Sequence, residues 1–155
     1  MSKVTLVKHA PGAPGLRYLG LGPRLYPTNG IKQLQGLLNN NTLWAKSRSI
    51  QDIKKMLSRS TVTVSLWKGA NIIGFGRATS DEIFRAVLWD IVIDKNHQDL
   101  GFGKIIVKSL LENNLILKAE RVYIMTTNCS EFYSKMGFKI ESNQTLMTLN
   151  NYIYH

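Results

Sequence analysis

Two kinds of apolar periodicity run along the chain, and each predicts a different element. Alternation with a period of two, rich in β-branched residues, predicts strands over 3–8 and 61–67. The turn residues 68–71 join the second of these strands to another over 72–79. Residues 86–93 are almost continuously apolar, which predicts a central strand covered on both faces. The pattern therefore predicts a hairpin followed by a third consecutive strand.

Apolar residues at helical spacing predict three main helices. The first covers about 29–38, and the second begins after Ser49, a good N-cap with Asp52 three residues later. The third covers about 103–118 and leads into a strand over 121–127. A strand, a helix and a second strand in this order predict a parallel β-α-β unit.

The remaining segments are predicted from turn residues and short patterns. Glycine and proline make 12–27 a loop, and a short helix over 130–136 ends at Gly137. Two further strands are predicted near 138–142 and 145–149. Antiparallel strands followed by one crossover predict an α/β (α+β) fold, with a mixed central sheet and helices on both faces. We expect one domain over residues 1–155.

Composition agrees with such a folded domain. The chain has 155 residues, of which 44% are hydrophobic and 19% charged, enough to bury a core. It lacks the roughly 18 uninterrupted apolar residues of a membrane span. A single cysteine, Cys129, and three scattered histidines offer no metal-ligand spacing, so we expect no metal site and a reducing compartment.

The formal net charge is +10, and residues 1–51 contain seven basic residues and no acidic one. Such asymmetry fits a nucleic acid, an acidic surface or a small polyanionic ligand, and charge alone does not choose among them. Aromatic residues are not interleaved with the early basic ones as a stacking surface requires, so a nucleic-acid partner is disfavoured.

Residues 91–104 contain the most informative pattern: a buried strand, a polar loop, Gly101-Phe102-Gly103 and a helix. Glycines let the backbone approach an anion closely, and the helix start offers free N–H groups and a positive dipole end, beside Lys104. Neither a P-loop nor a dinucleotide fingerprint fits, since Gln98, Ile105 and Ile106 occupy required positions. The pattern favours an anion site that is neither of these.

Two motifs carry a resemblance to a known family. Gln98-x-x-Gly101-x-Gly103 resembles the Q/R-x-x-G-x-G/A pyrophosphate signature of the GNAT superfamily of acyl-CoA-dependent N-acetyltransferases, and the segment 132–138, Phe-Tyr-Ser-Lys-Met-Gly-Phe, is similar to its F-Y-x-x-x-G-F motif. The resemblance covers about 43–140. Segments 43–49, 74–81 and 88–94 resemble the cyanobacterial and plastid branch, which includes serotonin N-acetyltransferase-like enzymes and chloroplast protein acetyltransferases.

The resemblance implies acetyl-CoA as cosubstrate and a primary amine as acceptor. It places the pantetheine arm along the backbone of Ile91, Val92 and Ile93. It places the pyrophosphate against the loop and helix start that follow, with these residues: Gln98, Asp99, Leu100, Gly101, Phe102, Gly103 and Lys104. Gln98 stands where arginine is usual, and Thr126 stands where many members have asparagine.

Amide formation needs a neutral amine, and deprotonating a lysine-like amine of pKa about 10.4 at pH 7 costs about 4.6 kcal/mol. Asp90, between Trp89 and Ile91, is a candidate base if burial raises its pKa; the alternative is a structural or substrate-orienting carboxylate. Tyr133 is the candidate acid for the leaving thiolate. Cys129 is interpreted as an inert, packed residue, not a nucleophile.

The resemblance thus implies an N-acetyltransferase acting by direct transfer, with an arylalkylamine such as serotonin as the first acceptor class. A protein lysine or N-terminus is the alternative acceptor, and a non-catalytic module that binds acyl-CoA or nucleic acid is the alternative function. We expect no membrane partner, allow a homodimer, and expect the cytoplasm, or the plastid stroma for an algal or plant protein.

Overall fold

The computed structural model describes residues 3–151, which fall into two compact units divided after Met125. The strands of the first unit are β1 (Val4–Lys8), β2 (Val62–Lys68), β3 (Asn71–Ser80), β4 (Arg85–Ile93) and β5 (Arg121–Ile124). Its helices are α1 (Pro14–Leu19), α2 (Gly30–Asn41), α3 (Ile50–Ser58), α4 (Phe102–Leu111) and α5 (Asn114–Leu117). The second unit contains α6 (Ser130–Ser134).

The five strands form one mixed sheet in the order β1-β2-β3-β4-β5. The pairs β1–β2, β2–β3 and β3–β4 are antiparallel, whereas β4–β5 is parallel, so the predicted hairpin, third strand and β-α-β crossover are confirmed. β4 is an interior strand, but its side chains alternate between buried and half-buried positions. The expectation that both of its faces are fully covered is therefore wrong.

Helices cover both faces of the sheet, as the fold class predicts. Phe75 and Trp67 of the sheet join the core formed with α1, α2 and α3. Gly74 and Gly76, which flank Phe75 and so face the opposite side, lie beneath Ile106 of α4. The predicted cap of α3 is confirmed, because the Asp52 backbone N–H donates to Ser49 Oγ at 3.0 Å.

The loop expected over 12–27 contains regular structure. Pro14 stands at the start of α1, where its missing N–H costs nothing, and Gly20 ends the helix with a left-handed φ of 62°. A 3-10 turn follows over Pro23–Leu25. Proline and glycine here delimit a short helix, so the prediction of a loop throughout 12–27 is wrong.

α4 packs unusually close to the sheet. A Cβ added to Gly74 would lie 2.8 Å from Ile106 Cδ1, and one added to Gly76 would lie 2.6 Å from Ile106 Cγ2. The two glycines therefore leave the gap that admits the helix. The helix predicted over 103–118 is two helices, because the Asn113 side chain caps a new one by accepting from the Leu115 N–H.

The strands predicted near 138–142 and 145–149 are absent from the described part of the second unit. Alternating apolar residues favour a strand, but a strand is stable only when its backbone groups are paired. Ile140, Leu146, Met147 and Leu149 are all exposed. Within residues 3–151 this segment has no partner strand, and the prediction is wrong.

His9 belongs to a buried polar network beside β2. Its Nε2 lies 2.7 Å from Ser65 Oγ, and that oxygen also accepts a hydrogen bond of 2.7 Å from Trp67 Nε1. Ser65 and Trp67 are fully buried. Burial lowers the pKa of His9 to about 4, so the imidazole is neutral at pH 7.

We expect the free energy of unfolding to fall by up to about 2 kcal/mol between pH 7 and pH 5, since His9 takes up a proton with its ordinary pKa near 6.5 only when unfolded. The loss begins below about pH 6.5 and is complete below about pH 4. Urea denaturation at both pH values measures it. His9→Gln should flatten the difference, and an unchanged pH dependence in that variant would contradict this assignment.

Candidate active site

A β-bulge distorts β4 at Asp90. Arg77 pairs with Trp89 and Phe75 pairs with Val92, so Asp90 and Ile91 together lie opposite Gly76. Asp90 has a φ of 53°, a left-handed conformation that aspartate tolerates better than most residues. The bulge re-aims the Asp90 side chain, which sequence pattern alone places as an ordinary alternating position.

Two arginines hold the Asp90 carboxylate. Arg77 Nε donates to Asp90 Oδ2 at 2.7 Å, and Arg48 Nη1 lies 3.0 Å from the same oxygen. Only 4% of the Asp90 side chain is exposed. Burial opposes ionisation and is the largest single influence, but the hydrogen bonds and charges of the two arginines together outweigh it and lower the pKa of Asp90. The raised pKa expected from its apolar neighbours is therefore wrong.

Sequence reasoning missed Arg48 and Arg77 as site residues. Arg48 comes from the connection between α2 and α3, and Arg77 comes from the strand that pairs with the bulge. Both arginines lie within the segments 43–49 and 74–81, which resemble the family. That resemblance is the signal in the sequence that could have identified them. Arg77 is further positioned by a hydrogen bond of 3.4 Å from its Nη1 to Ser60 Oγ.

Beyond the bulge, β4 has a free edge. Its pairing with β5 ends at Leu88 and Ile124, although β4 continues to Ile93. The Asp94 N–H donates to the Ile73 carbonyl on β3, so the preceding Ile93 directs its own backbone groups to the open side. There the Ile93 carbonyl accepts from Gln98 Nε2 at 3.0 Å. The edge of β4 over 91–93 thus borders a gap that β5 does not fill.

The loop after β4 is held by local hydrogen bonds. Asp94 Oδ2 accepts from the Asn96 N–H and lies 2.8 Å from His97 Nδ1. The Lys95 N–H donates to Asn41 Oδ1 at the end of α2, which ties the loop to the helical layer. Asp99 and Gly101 both have positive φ, of 62° and 85°. These turns bring the chain back to the start of α4.

The first turn of α4 offers free donors. Gly101 precedes the helix, and within residues 3–151 no side chain caps the N–H groups of Phe102, Gly103 and Lys104. A Cβ at Gly101 would meet nothing within 4 Å, and glycine is therefore favoured here by backbone conformation. Together with Lys104 this end of the helix can bind an anion.

Tyr133 lies on α6 in the second unit, where its ring makes edge-to-face contacts with Phe132 and Phe138 at centroid distances of 4.9 and 5.7 Å. The residue is 8% exposed. Burial, with a smaller contribution from Cys129, raises the pKa of Tyr133 to about 12, so the phenol keeps its proton at neutral pH.

Cys129 immediately precedes α6, and its backbone N–H donates to Thr126 Oγ1 at 3.0 Å. The side chain is exposed, so the expectation of a packed residue is wrong. Thr126 therefore helps to shape the turn that leads into the helix of Tyr133.

No helix within 3–151 is both long and apolar enough to cross a membrane.

Comparison with known proteins identifies the family. The model of the acetyltransferase (GNAT) domain matches residues 59–140, which is more than half of the chain. A protein of Gracilaria tenuistipitata var. liui designated an uncharacterized N-acetyltransferase, ycf52, is 33% identical over 144 residues, covering 88% of this chain and 75% of that protein. The chain belongs to the GNAT acetyltransferase family, as its two motifs predict.

Other relatives match over a smaller share of their length. The ycf52 protein of Pyropia yezoensis is 35% identical over 61% of this chain, and the match spans 57% of that relative. A histone acetyltransferase of Glycine max is 27% identical over 75% of this chain and 47% of its own length. A chloroplastic GCN5-related N-acetyltransferase of Arabidopsis thaliana is 32% identical over 45% of this chain and 28% of its own length.

Solved structures confirm the fold. A GNAT-family acetyltransferase from Streptococcus pneumoniae superposes with a TM-score of 0.71 at 19% identity, covering 96% of this chain and 98% of that one. The mixed five-stranded sheet with helices on both faces is therefore the GNAT fold.

Proposed function

We propose that this chain is an acetyl-CoA-dependent N-acetyltransferase that moves an acetyl group directly to a primary amine. The observation that carries the proposal is the free edge of β4 over 91–93, followed by the uncapped N-terminus of α4. Unpaired strand backbone suits an arm with amide groups, and free helix N–H groups suit a pyrophosphate. Acetyl-CoA contains both chemistries, and its negative charge suits a chain of net charge +10.

In this proposal the backbone of Ile91, Val92 and Ile93 binds the pantetheine arm. The seven residues 98–104 surround the pyrophosphate, with main-chain N–H groups at the start of α4 and the Lys104 ammonium as donors. The side-chain amide of Gln98 donates a hydrogen bond to the Ile93 carbonyl. Gln98 therefore holds the end of the strand in place and does not supply the positive charge of the usual arginine. When bound, the cosubstrate supplies an activated acetyl group.

The roles in proton transfer are assigned from the pKa shifts of Tyr133 and Asp90. Tyr133 holds a proton at neutral pH and is the proposed donor to the leaving sulfur, although its raised pKa makes the phenol a weaker acid than an ordinary tyrosine. Asp90 is ionised and already bound to Arg48 and Arg77, so it is a weak base. Of its two roles considered above, we favour the structural and orienting one.

The acceptor has two candidate classes, an arylalkylamine such as serotonin and an amine of a protein. The relative named as a histone acetyltransferase favours the protein amine. The chloroplastic relative favours the plastid stroma over the cytoplasm for a chain of algal or plant origin.

The experiment that tests this function combines binding and transfer. Calorimetry should detect acetyl-CoA binding, weakened several-fold by Lys104→Gln, since that ammonium adjoins the free helix N–H groups. Lys108→Gln is the matched control, because Lys108 lies one turn later beside Glu112 at 3.7 Å. Labelled acetyl-CoA is then supplied with serotonin and, separately, with a lysine peptide. Binding without transfer to either of these amines would favour the non-catalytic module or an amine of another class, and no binding would contradict the proposal.

A further inference from the structure

In the proposed binding mode, the Arg48–Asp90–Arg77 cluster lies next to the acetyl group and therefore beside the acceptor amine. In acetyl-CoA the pyrophosphate, the pantetheine arm and the acetyl group follow one another in that order. If the pyrophosphate binds at α4 and the arm runs back along Ile93 to Ile91, the next residue on β4 is Asp90. The inference below rests on the proposed function through this placement.

The cluster has more positive than negative charge. Two guanidinium groups share one carboxylate, and Asp90 is the single buried carboxylate among residues 3–151. Arg77 is 15% exposed, whereas the Arg48 side chain is 30% exposed. Arg48 therefore presents part of its charge to solvent beside the bulge.

Arg48 also has unused donors. Its Nη1 lies 3.0 Å from Asp90 Oδ2 and 3.4 Å from Met56 Sδ, and those are the hydrogen bonds and ion pairs of its side chain within 3–151. A guanidinium has five N–H donors arranged as a planar fork that matches a carboxylate. The Nε and Nη2 side of Arg48 is thus available to an anionic group, while Asp90 keeps the guanidinium in place.

The need for a neutral amine favours an α-amine over a lysine. A positive group nearby repels either ammonium and lowers the pKa of either amine, so the ordinary pKa values decide between the two. At pH 7 roughly one α-amine in ten is neutral, against roughly one lysine amine in 2,500. With Asp90 neutralised by ion pairs, an α-amine needs far less help from a base than a lysine does.

We propose that Arg48, supported by Arg77, binds a carboxylate of the acceptor, and that the preferred acceptor is the N-terminal α-amine of a peptide with an acidic residue next to it. Arg48 is then a specificity-determining residue for this reaction. The partner is a peptide or protein N-terminus of acidic character, attracted also by the basic first third of the chain.

The test compares four peptides of equal length. Three have a free N-terminus and glutamate, glutamine or lysine as second residue; the fourth has a blocked N-terminus and an internal lysine beside glutamate. Fluorescence anisotropy measures peptide affinity without cosubstrate at two salt concentrations, and labelled acetyl-CoA measures kcat/KM. The proteins are the wild type, Arg48→Gln, Arg48→Lys and the matched control Lys46→Gln, which removes an exposed positive charge from the same connection.

We expect the glutamate peptide to exceed the glutamine peptide by about tenfold in affinity and in kcat/KM, as a charge-assisted hydrogen bond provides. Arg48→Gln should abolish this preference, Lys46→Gln should retain it, and Arg48→Lys should restore part of it, which separates lost recognition from lost folding. Higher salt should reduce the preference.

Equal use of the glutamate and glutamine peptides by the wild type, or preference for the blocked lysine peptide, would overturn the inference. Failure of the wild type to bind acetyl-CoA would instead refute the proposed function, and the peptide affinities measured without cosubstrate would still decide the role of Arg48.

Discussion

Replacing Tyr133 by phenylalanine is expected to lower kcat by about 10²- to 10⁴-fold, the usual contribution of a positioned general acid. The change removes only the hydroxyl, so the ring contacts with Phe132 and Phe138 persist and the fold is retained. Affinity for acetyl-CoA should stay within about twofold, because the proposed proton transfer belongs to the transition state. Steady-state kinetics and calorimetry on the same preparation measure both quantities.

The pH profile expected for Tyr133 as an acid is flat over the accessible range, and the rates of the phenylalanine variants distinguish an acid from a packing residue. An acid must be protonated to act, so its contribution is lost as pH rises through its pKa, here about 12. The wild-type rate should therefore not decline between pH 7 and 10 on account of Tyr133. Tyr18→Phe is the matched control, since Tyr18 is exposed and its ring contact with Arg17 survives the change. Equal rates in Tyr133→Phe and wild type would remove Tyr133 from the mechanism.

Replacing Asp90 by alanine should lower the free energy of unfolding by about 3 kcal/mol, because it leaves Arg48 and Arg77 facing each other without their shared counter-ion. Alanine also fits the left-handed backbone at this position poorly. Asparagine tolerates the left-handed backbone better than alanine, so Asp90→Asn isolates the effect of losing the negative charge. Urea denaturation of the three proteins separates the two contributions.

The stabilisation by Asp90 depends on pH in a defined direction. Because its folded pKa is lowered, the contribution is complete above the unfolded value near 3.9 and disappears as pH falls below it. The difference between wild type and Asp90→Asn should therefore be constant from pH 8 to about 5. Asp99→Asn is a matched control with positive φ, an exposed side chain and no ion pair. Equal losses in the two asparagine variants would show that the ion pairs contribute nothing.

The sheet could be predicted from the sequence because its signals are local. Period-two patterns, the turn after β2 and the apolar run of β4 located all five strands within a few residues. The cap at Ser49 is likewise local. The predictions failed where a partner decides the outcome, as in 138–149, whose alternating residues form no strand.

The loop and helix start at 98–104 could be recognised from two glycines and a glutamine, since backbone conformation there depends on residue type. The charge state of Asp90 could not be predicted from the sequence. It depends on Arg48, which is 42 residues earlier in the chain, and on a bulge that turns the carboxylate toward it. Neighbours in sequence suggested an apolar environment, whereas neighbours in space are cations.

The glycines beneath Ile106 couple core packing to ligand binding. A side chain at Gly74 or Gly76 would overpack the core, because its Cβ would lie 2.8 or 2.6 Å from Ile106. Relief of that contact would push α4 outward, and the free N–H groups at the start of that helix would move with it. Selection against larger residues at these two positions therefore acts twice, once through the stability of the core and once through affinity for the ligand.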